Sequence, residues 1–183
     1  LASTLDPRSL VWPALPPAAQ EAPHAPWWGD GGGEGFGNLE DTFDGFRLIP
    51  RARLVDMLLF FQADTAISLF AQVVRDTLET IRAADAQTIA GGTAFVDAAG
   101  LASNPRLASA DRREAAENLA RLLPHVMQTD PSTWTSYVPA PVSVLPKPSA
   151  YADAALGEAV EAHLDFLIER QQADGSWEPT WTW

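Results

Sequence analysis

The sequence contains no cysteine among its 183 residues. This absence excludes a disulfide framework, a thiolate nucleophile and a zinc site with cysteine ligands. Proteins without disulfides are typical of a reducing cytosol, and we predict a cytoplasmic location.

Basic residues are also few, since 12 Lys and Arg face 24 Asp and Glu and leave a formal charge of −12. A chain of this charge repels phosphate backbones, so we expect no nucleic-acid partner. A cationic or neutral partner suits the charge better, as does an anionic one recruited through Mg²⁺. Apolar runs approaching about 18 residues are absent, so we expect no membrane span.

Length and a hydrophobic content of 46% suit one α-helical domain over residues 1–183. Prolines and glycines punctuate residues 1–48 and predict an irregular strap whose aromatic side chains dock on the body. Helical hairpins are expected over 49–129, a Pro-rich connector over 130–149, and a final helix with an aromatic motif over 150–183. The chain starts at Leu1 without Met and stops at Trp183 within that motif, so we expect a fragment or a processed chain. A homo-oligomer is compatible with the composition.

From Pro50 onward, apolar residues recur at spacings of three and four, which predicts an all-α fold of five helices without strands. Residues 85–100 are Ala-rich and form one of these helices, although Gly91-Gly92 weakens it by about 1 kcal/mol per glycine. The expected core stripes of the other four are Leu54, Leu58 and Phe61 (widened by Val55 and Leu59), then Ile67, Phe70, Val74, Leu78 and Ile81, then Ala115, Leu119, Leu122 and Val126, and finally Leu156, Val160, Leu164 and Leu167.

Helix ends are predicted from local chemistry. Asp111 with Glu114 three residues later has the spacing of a capping box. Pro124 should kink or end the helix that contains it. Gly175 should end the last helix, because a helix commonly closes with a residue in left-handed geometry.

The run Gln171-Gln172-Ala173-Asp174-Gly175-Ser176-Trp177 follows the last helix. A glutamine amide can bond the backbone groups that a helix end leaves unpaired. An indole can stack on that amide while its N–H finds an acceptor. With Gln171 or Gln172 supplying the amide, and Gly175 and Trp177 following, the run resembles the QW motif of terpenoid cyclases such as the squalene-hopene cyclases.

A second string, His24-Ala25-Pro26-Trp27-Trp28, together with the C-terminal motif is similar to bacterial proteins related to the cyclase and prenyltransferase toroids. The resemblance implies an α/α toroid of helical hairpins joined by long Pro-, Gly- and Trp-rich loops. The chain supplies too few hairpins for a full ring, so the toroid is expected to be partial or incomplete. The resemblance also implies that the chain binds a hydrophobic, isoprenoid-like ligand and is related to the cyclases or prenyltransferases.

The catalytic motifs of such enzymes are mostly missing from the sequence. The Asp-x-Asp-Asp motif of class II cyclases does not occur, and the zinc site of protein prenyltransferases needs a cysteine. The run Glu40-Asp41-Thr42-Phe43-Asp44 resembles the Asp-rich box that holds Mg²⁺-diphosphate, which makes Asp41 and Asp44 the candidate catalytic acids and Mg²⁺ a candidate cofactor. Their alternative role is to cap the first helix. Both an enzyme and a non-catalytic helical scaffold therefore stay open.

Four residues of the N-terminal strap are the candidate ligand contacts. Trp27, Trp28 and Phe36 could line a hydrophobic cavity, and His24 lies beside the tryptophans between two prolines. Their alternative role is to pin the strap to the helical body. Of the other histidines, His125 is expected to cap a helix end. His163 lies on the last helix beside its apolar stripe and is expected to be packed or half-exposed, and no metal site is expected.

Overall fold

Helices make up most of the chain that the computed structural model describes, which is residues 5–12, 21–23, 48–61, 68–89, 92–145 and 154–180. They are α1 (Arg51–Phe60), α2 (Ser68–Ala83), α3 (Gly92–Ala102), α4 (Ser109–Val126), α5 (Pro141–Val144) and α6 (Ala154–Glu169), with a 3-10 helix at Pro131–Thr133. Over these residues there is no strand, only an isolated bridge between Asp6 and Val11. The prediction of an all-α fold is confirmed.

Helix α3 is the central element of the packing. It contacts α1, α4 and α5, while α2 contacts α1 and α4, and α6 packs on α5. Phe95 of α3 is fully buried, and the buried residues beside it on the same helix are mostly alanines. From the N-terminal strap, Leu5 and Trp12 are buried in the same core.

The core stripe of α4 is confirmed in full, because all four of its predicted residues are buried: Ala115, Leu119, Leu122 and Val126. For α1, the predicted buried face is rotated from the observed one. Val55 and Leu59 are buried there, whereas Phe61 is 71% exposed. α1 has only ten residues and is apolar on most sides, so packing against α3 selects its inner face.

The stripes of α2 and α6 are each displaced at one point, and in both a polar side chain takes a buried position. In α2, Leu78 and Ile81 are buried as predicted, and the predicted Ile67 lies outside the described residues. Val73 and Thr77 are buried instead of Val74, and the Thr77 hydroxyl donates to the Val73 carbonyl over 2.6 Å. In α6, His163 is buried while Leu164 is 44% exposed. A hydrogen-bonded polar group can be buried at low cost, which a hydrophobic pattern alone does not register.

The capping box predicted for α4 is wrong. The helix begins after Ala108 without a side-chain cap, and Asp111 lies inside its first turn. Asp111 and Glu114 both pair with Arg82 of α2, and the Glu114 Oε2 lies 3.0 Å from the Arg82 Nε. The two carboxylates therefore join helices instead of capping one. α4 ends two residues after Pro124, as its proline predicts.

Gly92 begins α3, so the helix predicted over 85–100 starts later than expected. The preceding turn is held by the Asp85 carboxylate, which accepts the N–H groups of Gln87 and Thr88. A Cβ atom on Gly92 would lie 2.9 Å from the Cβ of Pro139. Glycine therefore allows the connector to pass close over the start of α3.

Gly92→Ala is expected to destabilise the fold by about 1–2 kcal/mol, because the added methyl group must displace Pro139. The matched control is Gly157→Ala in the interior of α6, where a Cβ would meet nothing within 4 Å. That change should stabilise the protein by about 0.5–1 kcal/mol through helix propensity. Urea denaturation measures the change in unfolding free energy of both variants. If both variants were stabilised or both destabilised, the close approach of Pro139 to Gly92 would not be what requires a glycine there.

Candidate ligand-binding site

The predicted site residues of the N-terminal strap lie outside the described residues. These are the acids Asp41 and Asp44 with their Mg²⁺, and the ligand contacts His24, Trp27, Trp28 and Phe36. Their roles stay predictions. In the part of the chain that is described, the candidate site is a different one.

A cleft of about 1090 Å³ lies where the start of α3, the connector, the end of α6 and the C-terminal segment meet. Its size is slightly above the usual range of about 300–1,000 Å³ for small-molecule pockets. The lining is rich in rings, with a few charged groups among them. The rings are Trp134, Tyr137, His163, Phe166 and Trp177, and the charged residues are Arg53, Asp97, Arg170 and Glu178.

Trp134 forms one wall of the cleft and is held by its local structure. The Asp130 side chain accepts the Ser132 N–H over 2.9 Å and caps the start of the 3-10 helix, and Trp134 directly follows that helix as its C-cap. The Trp134 indole N–H donates to the Gln128 carbonyl over 2.8 Å, and the side chain is only 3% exposed. The ring is therefore fixed in position before any ligand arrives.

His163 of α6 packs its imidazole against this wall. Its ring centroid lies 4.7 Å from that of Trp134 and 5.8 Å from that of Phe166, with which it is stacked. The Nδ1 accepts the Val142 N–H over 3.2 Å, so the neutral ring carries its proton on Nε2. Burial lowers the pKa of His163 below its usual 6.5. His163 thus presents a neutral donor at the cleft, and its prediction as a packed histidine is confirmed.

Phe166 completes the group of rings. It meets Trp134 edge to face at 5.4 Å between centroids, and the Arg170 guanidinium lies over its face at 5.4 Å. Such a cation–π contact draws on the negative potential of the ring face. Arg170 therefore places a cation against this group of rings.

Asp97 of α3 is the buried acid of the cleft, with a side chain only 5% exposed. Its nearest cation is Arg53 of α1, whose Nη1 lies 4.0 Å from the Asp97 Oδ1, too far for a hydrogen bond. Burial raises the pKa of Asp97 above its usual value, Arg53 partly offsets this, and Asp56 adds to it. A buried carboxylate with a perturbed pKa in a cleft is typical of functional sites.

The C-terminal segment closes one side of the cleft. The Trp177 indole N–H donates to the Leu167 carbonyl over 2.7 Å, and the Gln171 side-chain amide donates to the Gly175 carbonyl over 3.0 Å. The Gln172 N–H donates to the Ser176 carbonyl over 2.9 Å. The two side-chain bonds use the groups that the sequence singled out, and together they hold Trp177 beneath the end of α6.

The predicted role of Gly175 needs correction. Its φ of +85° is the left-handed geometry that favours glycine, but α6 already ends at Glu169. Gly175 instead closes a turn further on, in which its N–H donates to the Gln172 carbonyl over 2.9 Å. The Trp177 indole, rather than glycine, covers a carbonyl in the last turn of the helix.

Asp97 and Trp134 were not identified from the sequence as site residues. The one available signal for Asp97 was a lone carboxylate on an Ala-rich helix without any other charged residue. Trp134 and His163 are 29 positions apart, and no motif links them. Only the packing of α6 on α5 and the connector brings them together.

Asp97→Asn is expected to stabilise the fold at pH 7 by on the order of 1 kcal/mol. Because burial raises the pKa of Asp97, the folded state holds this proton more tightly than the unfolded chain. The wild type therefore loses stability as the pH rises from the unfolded carboxyl pKa through the folded one. Urea denaturation at pH 7 and pH 4 should show the advantage of the variant shrinking at the lower pH.

Asp174→Asn is the control of opposite sign. The Ser176 hydroxyl and N–H lower the pKa of Asp174, so its contribution to stability is present at neutral pH and is lost on acidification. This variant should be less stable than the wild type at pH 7. If Asp97→Asn also lowered stability there, the carboxylate of Asp97 would have a stabilising partner.

No protein-family model, curated protein or solved structure matches this chain. Among the described helices, none combines the length and hydrophobicity that crossing a bilayer requires. Within the same residues, no group of three or more His, Asp or Glu side chains is placed to hold a metal ion.

Proposed function

We propose that this chain binds a hydrophobic, isoprenoid-like small molecule in the cleft between α3, α6 and the C-terminal segment. The observation that carries the proposal is the wall of rings formed by Trp134, His163 and Phe166, which lines a cleft of about 1090 Å³. Pockets for small molecules combine such apolar walls with a few placed polar groups. Asp97 and the His163 Nε2–H would be those groups.

We further propose that the helices form a partial α/α toroid related to the terpenoid cyclases. Support comes from the C-terminal motif, where the Trp177 indole bonds a carbonyl in the last turn of α6 and the Gln171 amide bonds the Gly175 carbonyl in the turn that follows. Further support is the pairing of neighbouring helices, such as α3 with α4 and α5 with α6. In this proposal the motif stabilises the architecture and takes no part in chemistry.

If the protein is an enzyme, Asp41 and Asp44 remain the proposed acids, with Mg²⁺ holding a diphosphate. The test is incubation with polyprenyl diphosphates and Mg²⁺, followed by a search for cyclised or transferred product. Product that disappears in Asp41→Asn or Asp44→Asn would support catalysis. Without product, ligand binding is the whole of the proposed function.

A non-catalytic interaction scaffold is the second candidate, and exposed apolar side chains favour it. Ile168 of α6 is 67% exposed and Leu164 is 44% exposed, while Phe60 at the end of α1 is 69% exposed. Leu164 and Ile168 are four positions apart and share one face of α6, and exposed apolar groups that lie together are typical of interaction surfaces. On this alternative, the protein would associate in solution without needing the cleft.

Binding can be tested with the neutral dye Nile red and its displacement by farnesol. Thr93 is an exposed residue on the cleft lining, so Thr93→Trp should fill the cleft and reduce dye and farnesol binding at least tenfold. Ala110→Trp adds the same ring at an exposed position of α4 outside the lining and serves as the control. Unchanged binding in Thr93→Trp would refute the cleft as the site.

A further inference from the structure

We infer that the ligand of this cleft carries a cationic amine, and that the carboxylate of Asp97 is its counter-ion. This inference rests on the proposed function, because it concerns the polar end of the ligand that the cleft would hold. It adds a chemical class that neither the apolar lining nor the C-terminal motif specifies.

The first support is the incomplete pairing of Asp97. Its side chain is 95% buried, yet among the described residues no donor forms a hydrogen bond with it. Arg53 lies 4.0 Å away and is itself 69% exposed, so water screens most of its charge. A ligand ammonium group at the usual 2.7–2.9 Å would lie closer and within the buried space.

The second support is the ring faces around the site. The Arg170 guanidinium already lies over the Phe166 ring at 5.4 Å, which shows that a face of this cleft accepts a cation. Trp134 and Trp177 add two indoles, the rings that attract cations most strongly. Aromatic faces that line a site are a typical means of recognising ammonium groups, and here they line the same cleft as Asp97.

The third support is the balance of charges. The carboxylates of Asp97 and Glu178 and the guanidinium groups of Arg53 and Arg170 line the cleft. Asp56 acts on Asp97 from outside the lining, and burial favours the neutral form of His163. Both arginines are exposed, so the buried charge of the cleft is negative. An anionic ligand would have to lie beside Asp97, whereas a cation would meet attraction both there and from a chain of net charge −12.

Cation binding also has a consequence for protons. Since burial raises the pKa of Asp97, a bound ammonium group must lower it again, and binding releases protons wherever Asp97 is partly protonated. The affinity for an amine should therefore rise with pH through the titration of Asp97. The affinity for a neutral ligand of the same shape should not.

The experiment compares farnesylamine with farnesol by calorimetry, on the wild type, Asp97→Asn and Glu178→Gln. Glu178 is an exposed carboxylate on the same cleft and controls for general charge. The wild type should bind the amine at least about tenfold more tightly than the alcohol. Asp97→Asn should remove this preference, because it should lower the affinity for the amine far more than the affinity for the alcohol. Glu178→Gln should keep the preference.

Equal binding of both probes to the wild type would overturn the inference while leaving the proposed function intact. So would equal losses in Asp97→Asn and Glu178→Gln, which would indicate an unspecific charge effect. If neither probe binds the wild type, the proposed function fails and the inference fails with it. Titrations of the wild type at pH 5 and pH 7 provide a second measurement that does not depend on the folding of a variant, and an affinity for the amine that does not rise with pH would contradict the role of Asp97.

Discussion

Trp134→Ala is expected to destabilise the fold by about 3–5 kcal/mol and to abolish ligand binding in the cleft. The indole is 3% exposed, packs edge to face on His163 and Phe166, and donates its N–H to Gln128. Its removal deletes a large buried side chain and leaves a cavity in the wall. Urea denaturation gives the stability, and Nile red fluorescence gives the binding.

Two controls separate the causes of this effect. Trp134→Phe keeps a ring in the wall and loses the hydrogen bond to the Gln128 carbonyl, so a smaller loss of about 1–2 kcal/mol is expected. Tyr137→Ala removes an aromatic residue of the same cleft that is 80% exposed, and should change stability by less than about 0.5 kcal/mol. Similar losses at positions 134 and 137 would mean that Trp134 does not support the wall as described.

Asp76→Ala is expected to destabilise the protein by about 2–3 kcal/mol. Arg51 of α1 is 2% exposed, and its Nη1 donates to the Asp76 Oδ2 over 2.5 Å while its Nη2 donates to the Thr80 hydroxyl over 3.0 Å. Removing the carboxylate breaks a pair with a buried guanidinium, and breaking a buried ion pair typically costs about 3–5 kcal/mol. The 44% exposure of Asp76 lowers the expected value.

The double variant Arg51→Met with Asp76→Ala tests this explanation. It removes the buried charge as well as its partner, so it should recover part of the stability that Asp76→Ala loses. Glu117→Ala is the surface control, because the Arg113–Glu117 pair at 3.8 Å has both side chains more than two-thirds exposed. Urea denaturation should show less than about 0.5 kcal/mol for that change. A double variant less stable than Asp76→Ala would contradict the counter-ion account.

The Arg51–Asp76 ion pair is an interaction that the sequence pattern does not predict. Arg51, Asp76 and Thr80 lie on two helices whose periods the sequence reveals, but nothing in the pattern says that an arginine next to Pro50 is buried. Asp111 and Glu114 illustrate the opposite case. Their spacing predicts a cap, yet both bind Arg82 of the neighbouring helix, because a partner brought near by packing competes with local backbone groups.

The candidate site also contains a part that the sequence predicts and a part that it does not. The bonds of Gln171 and Trp177 are local, since each joins residues at most ten positions apart, and local chemistry made them predictable. Asp97, Trp134 and His163 come from three separate segments and meet in one cleft only in the folded chain. A single aspartate in an Ala-rich helix has no period and no motif, so its burial and its raised pKa depend on what packs around it.

The sequence by itself determined the helical class, the inner face of α4 and the residues of the C-terminal turn. Those features depend on contacts within a few residues, where periodicity and hydrogen-bonding groups act directly. The tertiary structure alone decided the inner face of α1, the partner of Arg82 and the environment of Asp97. These depend on which helices meet, and contacts between residues far apart in the chain leave no local pattern. The cleft belongs to this second group, and with it the proposed function.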